Sequence, residues 1–230
     1  MPTATVEDYL KAIWLEEQRT DASEASQRLV SMGQIAQSLA VAPGTVTAMV
    51  KTLEKSGLLE YEPYSGVRLS AEGRRTATHV VRRHRLTELF LVETLGLDWS
   101  EVHEEAERLE HAMSDKLIDR IDEMLGYPRF DPHGDPIPDA SGATEQVSWL
   151  RLADCPPGAF TIARVSDQDE EFLRFVERHG LKPGARIEIQ SRNIQADAIT
   201  VAPEDKPAIT IGSEAAAKLW IERPVMELRR

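Results

Sequence analysis

The chain has 230 residues, 41% hydrophobic and 29% charged, with a net charge of −12. That is length enough for one large domain or two small ones, each with its own core, and no run of about 18 apolar residues suggests a membrane span. Cys155 is the sole cysteine, so no internal disulfide is available, and the opening stretch MPTATVEDYLKAIWLEEQ lacks the basic-then-apolar order of a secretory signal. Both features lead to the expectation of a reducing, cytoplasmic setting.

The charge is uneven. Residues 27–85 carry nine basic residues (Arg28, Lys51, Lys55, Arg68, Arg74, Arg75, Arg82, Arg83, Arg85) against four acidic ones (Glu54, Glu60, Glu62, Glu72), a local +5 that leaves −17 for the rest. A basic segment on an acidic body is expected where one face meets phosphates.

In chain order, Val6, Leu10, Ile13 and Trp14 recur at helical spacing over residues 5–19, with Thr5 as the expected N-cap. The small, polar stretch TDASEASQ reads as a loop. A short helix over 32–39, a tight turn over 40–42 and a helix opened by Pro43 follow. Proline suits that first turn because its missing N–H has no partner there anyway. Val46, Met49, Val50 and Leu53 form the apolar face of this helix, and Gly57 ends it. LLEYEP and GVRLS then read as two strands of a hairpin around Tyr64-Ser65-Gly66. Helix, turn, Pro-initiated helix and hairpin together predict a winged helix-turn-helix.

A long helix is expected from 71 to about 95, a second from a cap at Ser100 through about 113, and a third from 114 to about 125. In the last, Leu117, Ile118, Ile121, Met124 and Leu125 exceed the apolar need of a surface helix, so either a partner subunit or the same subunit covers them. The stretch YPRFDPHGDPIPDASGATEQ, rich in proline and glycine and without apolar period, reads as a linker or ordered loop. Beyond it, FTIARV, ARIEIQSR, AITVA and ELR read as short strands, with one helix over 170–179, which suits a small SH3-like β-barrel. The expected fold is thus mainly α with small β parts. Its domains are a winged helix-turn-helix over 1–73, a helical metal-binding and dimerisation domain over 74–127, a linker over 128–146 and an SH3-like domain over 147–230.

The residues richest in chemistry are His103, Glu107, Glu110 and His111. Their spacing of i, i+4, i+7 and i+8 would project all four from one face of one helix. His84 and Glu88 form another i, i+4 pair upstream. Imidazoles and carboxylates converging in this way suit a divalent transition metal, whereas a single such pair would be an ordinary solvated face. For DNA, Thr45, Thr47 and Lys51 lie on the start and exposed face of the second helix of the motif, within reach of phosphates or base edges. Tyr64 and Arg68 lie in the hairpin. A metal-dependent enzyme using the His/Glu cluster is the rival from another class, but no further acid–base or nucleophile constellation accompanies it, so no enzyme is expected. A regulator sensing an organic ligand is a second rival.

The stretches VEDYLKAIW, LAVAPGTVTAMVKTLEKSGLL, YEPYSGVRLSAEG, RRHRLTELFL and VHEEAERLEHAMSD resemble, in order, the signatures of the diphtheria-toxin-repressor and manganese-transport-regulator family of metal-dependent repressors. The stretch from LADCPPGAF to GARIEI resembles that family's C-terminal SH3-like, FeoA-like module. The resemblance covers essentially the whole chain. It implies a homodimer that binds palindromic double-stranded operators when a metal is bound. It also implies a primary site drawn from Asp8, His84, Glu107, Glu110 and His111, and an ancillary site at His84, Glu88 and His103 completed by Asp167, with Asp169 as the next choice. Iron-responsive members have methionine at the place of Asp8 and cysteine at that of Glu107. Carboxylates at both imply Mn²⁺ rather than the alternative, Fe²⁺. Lys11 departs from the short manganese regulators, which carry a glutamate there, so a binuclear primary site is not expected.

Overall fold

A computed structural model describes residues 2–18 and 29–223. The TDASEASQ loop and the ELR strand lie outside the described residues. The chain divides into two compact units, one made of Met1–His84, Glu110–Met113 and Pro138–Thr144, the other of Arg85–Leu109, Ser114–Ile137 and Glu145–Arg230.

The first unit is built on α1 (Ala4–Gln18), α2 (Met32–Ser38) and α3 (Pro43–Lys55). It continues with β1 (Leu59–Glu62), β2 (Gly66–Leu69) and the start of α4 (Ala71–Glu93). Leu10, Ile13 and Trp14 of α1, one stripe at helical spacing, are buried with Ile35, Val46, Val50, Leu53, Leu59, Val67 and Val81 in one core. Helix α1 starts a residue earlier than expected, and Thr3 rather than Thr5 holds its first turn, through Val6 N–H to Thr3 Oγ1 at 3.4 Å. Helix α2 opens with a capping box: Ser31 Oγ accepts from Gln34 N–H and Gln34 Oε1 from Ser31 N–H. Pro43 begins α3 as expected, and the positive φ of Gly57 (+72°) follows its end. Strands β1 and β2 pair antiparallel in the register Leu59↔Leu69 to Glu62↔Gly66, the wing of a winged helix-turn-helix.

One glycine of α4 is required by packing. A Cβ on Gly73 would lie 1.8 Å from the backbone oxygen of Leu58. In an open helix Gly→Ala gains up to about 1 kcal/mol from propensity, but here backbone must move. Gly73→Ala is expected to cost about 1–3 kcal/mol or more, read as a lower urea midpoint. Gly44→Ala, with nothing within 4 Å of the new methyl, serves as the comparison and should leave the midpoint close to wild type.

The second unit holds the rest of α4, α5 (Val102–Leu109), α6 (Asp115–Met124) and a sheet. Its strands are β3 (Leu150–Arg151), β4 (Gly158–Val165), β5 (Arg186–Asn193), β6 (Ala198–Pro203), β7 (Ile209–Ile211) and β8 (Leu219–Glu222). Two helices belong with it, α7 (Glu170–Arg178) and α8 (Ser213–Ala217). The strand order is β3-β8-β4-β5-β6-β7, every pair antiparallel. Alternating Ile199, Val201 and Pro203 show how β6 turns one face inward. Phe160, Ile162, Leu173, Val176, Ile187 and Ile189 share that core.

The SH3-like topology stands, but the expected barrel does not close among the described residues: β3 and β7 are two open ends. At two and three residues these edges are too short for the continuous stagger closure demands. Helix α8 packs on β6, β8 and the Leu152–Asp154 turn instead.

The helix expected from Ser100 through 113 is shorter, ending at Leu109, with Glu110 and His111 in a turn. The four residues read as one helical face therefore separate into a helical pair, His103 and Glu107, and a pair in the turn. The segment over 128–146 is an ordered loop. Asp131 Oδ1 accepts from the N–H groups of His133 and Asp135, and Asp139 Oδ1 from those of Ser141 and Ala143. These side chains replace the missing secondary-structure bonds.

Candidate metal centre

In the first unit, α1, α4 and the Glu110–Met113 turn bring together the first cluster. Asp8, Glu110 and His111 each place a ligand atom within 4.8 Å of the others. His111 stands between two carboxylates of α1, Nε2 at 2.8 Å from Asp8 Oδ1 and Nδ1 at 2.7 Å from Glu7 Oε2. Arg83 holds Glu7 from the other side at 2.9 Å. Glu110 is fully buried and meets Lys11 Nζ with both oxygens, at 2.8 and 3.1 Å, and His84 Nδ1 at 2.6 Å. Lys11 Nζ also lies 3.1 Å from His84 Nδ1. Both nitrogens thus share the one carboxylate.

These contacts set the charges. Burial pushes the Glu110 carboxyl up, but the His84 hydrogen bond and the Lys11 ammonium outweigh it and hold it below the usual range. Burial lowers His111, while Glu7, Glu110 and Asp8 together raise it above the ordinary imidazole value. An imidazole surrounded by three carboxylates marks a place where positive charge is favoured, and oxygen with nitrogen donors suits a divalent cation. The residues fit one.

In the second unit, Glu88 of α4 meets the loop after α6. Glu88, Asp131 and His133, all buried, form a second cluster with ligand atoms within 4.8 Å. His133 gives Nε2 to the Trp99 carbonyl at 3.0 Å and stacks on the Trp99 ring. Its Nδ1 is buried with no hydrogen-bond partner, 3.7 Å from Glu88 Oε2. Arg85 and Arg164 flank Asp135 at 3.1 and 3.0 Å. Burial, with Asp135 and Glu88 nearby, raises Asp131 to about 7. His133 is lowered by burial but raised further by Glu88 and Asp131, to about 9. An orphaned imidazole nitrogen facing two carboxylates fits a cation here too.

Of the residues expected at the ancillary site, His103 Nδ1 meets Glu88 Oε1 at 3.0 Å. Glu107, expected at the primary site, lies 3.7 Å from His103 Nε2 and is not part of the Asp8, Glu110 and His111 group. His84 lies beside Glu110 of the first cluster, Nδ1 at 2.6 Å from Oε2. Asp167 joins neither cluster: it pairs with Lys218 Nζ at 2.6 Å, and Asp169 caps α7 by accepting from Phe172 N–H. Asp131 and His133 were not among the expected ligands. Their signal was the concentration of acid and imidazole in FDPHGD, inside a stretch read for its prolines.

The expected DNA residues are all on the first unit's surface motif. Thr45 and Lys51 are exposed on α3, while Thr47 turns its hydroxyl to the Pro43 carbonyl at 3.0 Å. Arg68 is tied to Glu60 at 2.6 Å. The local basic excess is partly consumed inside the protein: Arg74 pairs with Glu17, Arg75 with Glu72, Arg83 with Glu7 and Arg85 with Asp135. Lys51 and Lys55 of α3 have no such pair among the described residues.

The comparisons with known proteins agree along the whole chain. Residues 1–67 match the model of the iron dependent repressor N-terminal DNA binding domain, and 70–139 that of its metal binding and dimerisation domain. Residues 150–223 match the FeoA domain. The iron-dependent repressor IdeR of Mycobacterium leprae is 31% identical over 95% of this chain and 97% of its own. The chain belongs to the iron-dependent repressor family. A solved manganese-dependent transcriptional repressor in complex with manganese superposes with a TM-score of 0.86 at 39% identity, covering 95% of this chain and 99% of that one. The regulator MntR of Lysinibacillus sphaericus is 35% identical over 54% of this chain and 84% of its own. This family member is a metal-dependent, DNA-binding transcriptional repressor, and none of its described helices is long and apolar enough to cross a membrane.

Proposed function

We propose that the chain is a Mn²⁺-activated repressor of metal-uptake genes that binds palindromic operators as a homodimer. The observation that carries the reading is the first cluster. Asp8 of α1 and Glu110 and His111 of the turn would hold the ion with oxygen and imidazole nitrogen alone. Bound there, a divalent cation supplies the positive charge that His111 and Lys11 otherwise provide. The second cluster, Glu88, Asp131 and His133, would hold a further ion. Neither contains sulfur, the sole cysteine being buried elsewhere, and carboxylate-rich sites suit Mn²⁺ better than softer metals.

In this reading Asp8 links ion occupancy to DNA binding. Its bond to the Glu110–His111 turn fixes α1, on which α2 and β2 pack, and so fixes the α2–α3 pair. Two such motifs, one per protomer, must meet successive major grooves about 34–36 Å apart. A loosened α1 spreads the population over angles that do not match. Exposed Leu117 and Met124 on α6, with Tyr127 after it, offer apolar surface to a second copy.

The test is operator affinity for the full chain against Mn²⁺, Fe²⁺, Co²⁺ and Zn²⁺ at fixed ionic strength, with ions per chain counted in parallel. Mn²⁺ should activate binding at free concentrations where Fe²⁺ does not, and Trp99 fluorescence should respond as the second ion binds beside His133. Activation by Fe²⁺ alone would replace the manganese reading with the iron one.

A further inference from the structure

Tyr64 stands at the tip of the β1–β2 hairpin with its side chain fully exposed and a φ of +66°. Ser65 N–H bonds to the Glu62 carbonyl at 3.1 Å, which makes Pro63 and Tyr64 the two central residues of a β-turn. The second central position with positive φ is one that glycine or asparagine ordinarily fills, because a Cβ is disfavoured there. A tyrosine at this place strains the backbone and hides none of its ring, so the folding of the unit does not account for it.

The hairpin beneath it is firmly held. Val30 and Val67 exchange two backbone hydrogen bonds, at 2.8 and 2.9 Å. Gly66 approaches Val30 so closely that a Cβ would lie 2.5 Å from the Val30 carbonyl oxygen. The ring is thus displayed from a rigid base. The hairpin has little else to offer a polyanion: its single basic side chain, Arg68, is engaged by Glu60. On α3, the exposed positions Thr45 and Ala48 carry short side chains, and the exposed cations are Lys51 and, at the far end of the helix, Lys55.

We propose that the ring of Tyr64 is a DNA contact of the wing, an apolar plate laid against deoxyribose and base edges of the groove flanking the one α3 enters. This rests on the DNA-binding reading and names a residue that carries it. An aromatic ring can make such a contact without regard to base identity, since every nucleotide of a duplex presents the C–H groups of its sugar at the groove wall.

The experiment uses the full chain with saturating Mn²⁺ and a duplex that the wild type recovers from a random pool. Tyr64→Asn suits the left-handed turn and should melt at or above the wild-type temperature, yet bind the duplex about tenfold more weakly, the loss expected when one aromatic contact of an interface is truncated. Tyr64→Phe keeps the ring and should bind within about twofold of wild type, a change small beside that contact. Wild-type affinity in Tyr64→Asn overturns the proposal, as does an equal loss in Tyr64→Phe, which would assign the contact to the hydroxyl. A lower melting temperature in Tyr64→Asn overturns it as well, because the tyrosine would then serve the fold. A pool from which the wild type recovers nothing, with or without Mn²⁺, defeats the DNA-binding reading itself and is told apart from the other outcomes by that wild-type result.

Discussion

Asp8→Ala is expected to bind the operator no better with Mn²⁺ than without it. Asp8 is the carboxylate of α1 in the first cluster, its Oδ1 2.8 Å from His111 Nε2. In the proposed site its removal would leave Glu110 and His111 of the turn as ligands and withdraw α1 from the ion. Losing a partner that only orients a ligand weakens metal binding about 10–100-fold. Losing the ligand itself should cost at least the upper end of that range, about 100-fold in apparent Mn²⁺ affinity. The Asp8 side chain is 38% exposed, so the fold does not depend on it, and metal-free melting should stay close to wild type. Fluorescence anisotropy of a labelled operator, titrated with Mn²⁺, separates the two effects. An Asp8→Ala chain that still gains operator affinity on adding Mn²⁺ would remove α1 from the gating mechanism.

Where local chemistry decides structure, the sequence was legible. Pro43 and Gly57 bracket α3, the apolar stripe of α1 is its buried face, and the Tyr64-Ser65-Gly66 stretch is the wing turn. The misreadings occur where long-range contacts win. The i, i+4, i+7, i+8 spacing of His103 to His111 favours one continuous helix, yet the chain leaves the helix at Leu109. Glu110 gains Lys11 and His84, and His111 gains Glu7 and Asp8. These partners lie up to 104 positions away in the chain, and they outweigh the backbone bonds of another helical turn. The two residues that matter most for a primary site were therefore found by type and misplaced by geometry. Asp131 and His133 were hidden for the converse reason: a stretch without periodicity reads as a linker. Its order comes from aspartate side chains bonding the backbone and from Glu88, which lies far away in sequence. The basic excess over 27–85 was counted correctly, but four of its arginines neutralise carboxylates of their own unit, which no count of charges reveals.

Lys11→Met should make the stability of the first unit depend on metal. Lys11 and Glu110 form a buried pair, side chains 8% and 0% exposed, with Nζ on both carboxylate oxygens. Taking one partner from such a pair leaves an uncompensated charge and costs about 3–5 kcal/mol. His84 at 2.6 Å offsets part of this only by carrying a proton, so the metal-free variant should fall at or below the lower end. The sign with pH follows from Glu110, whose carboxyl is held below its ordinary value. Such a group contributes stability above the unfolded-state pKa, and the contribution is lost as pH falls through the lower folded-state value. Without the Lys11 ammonium that folded-state value rises, so Lys11→Met should lose stability at a higher pH than wild type during acidification. A divalent cation on Asp8, Glu110 and His111 returns positive charge to the same carboxylate. At one saturating Mn²⁺ concentration the gain in stability grows as the dissociation constant falls, so a variant freed of the competing ammonium and binding Mn²⁺ about tenfold more tightly gains about 1.4 kcal/mol more than wild type, and the gap between them should narrow. Urea midpoints with and without Mn²⁺ measure this directly. An equal gap in both conditions would mean that Lys11 and the ion do not serve the same charge, and Lys11 would then be a structural pair remote from metal control.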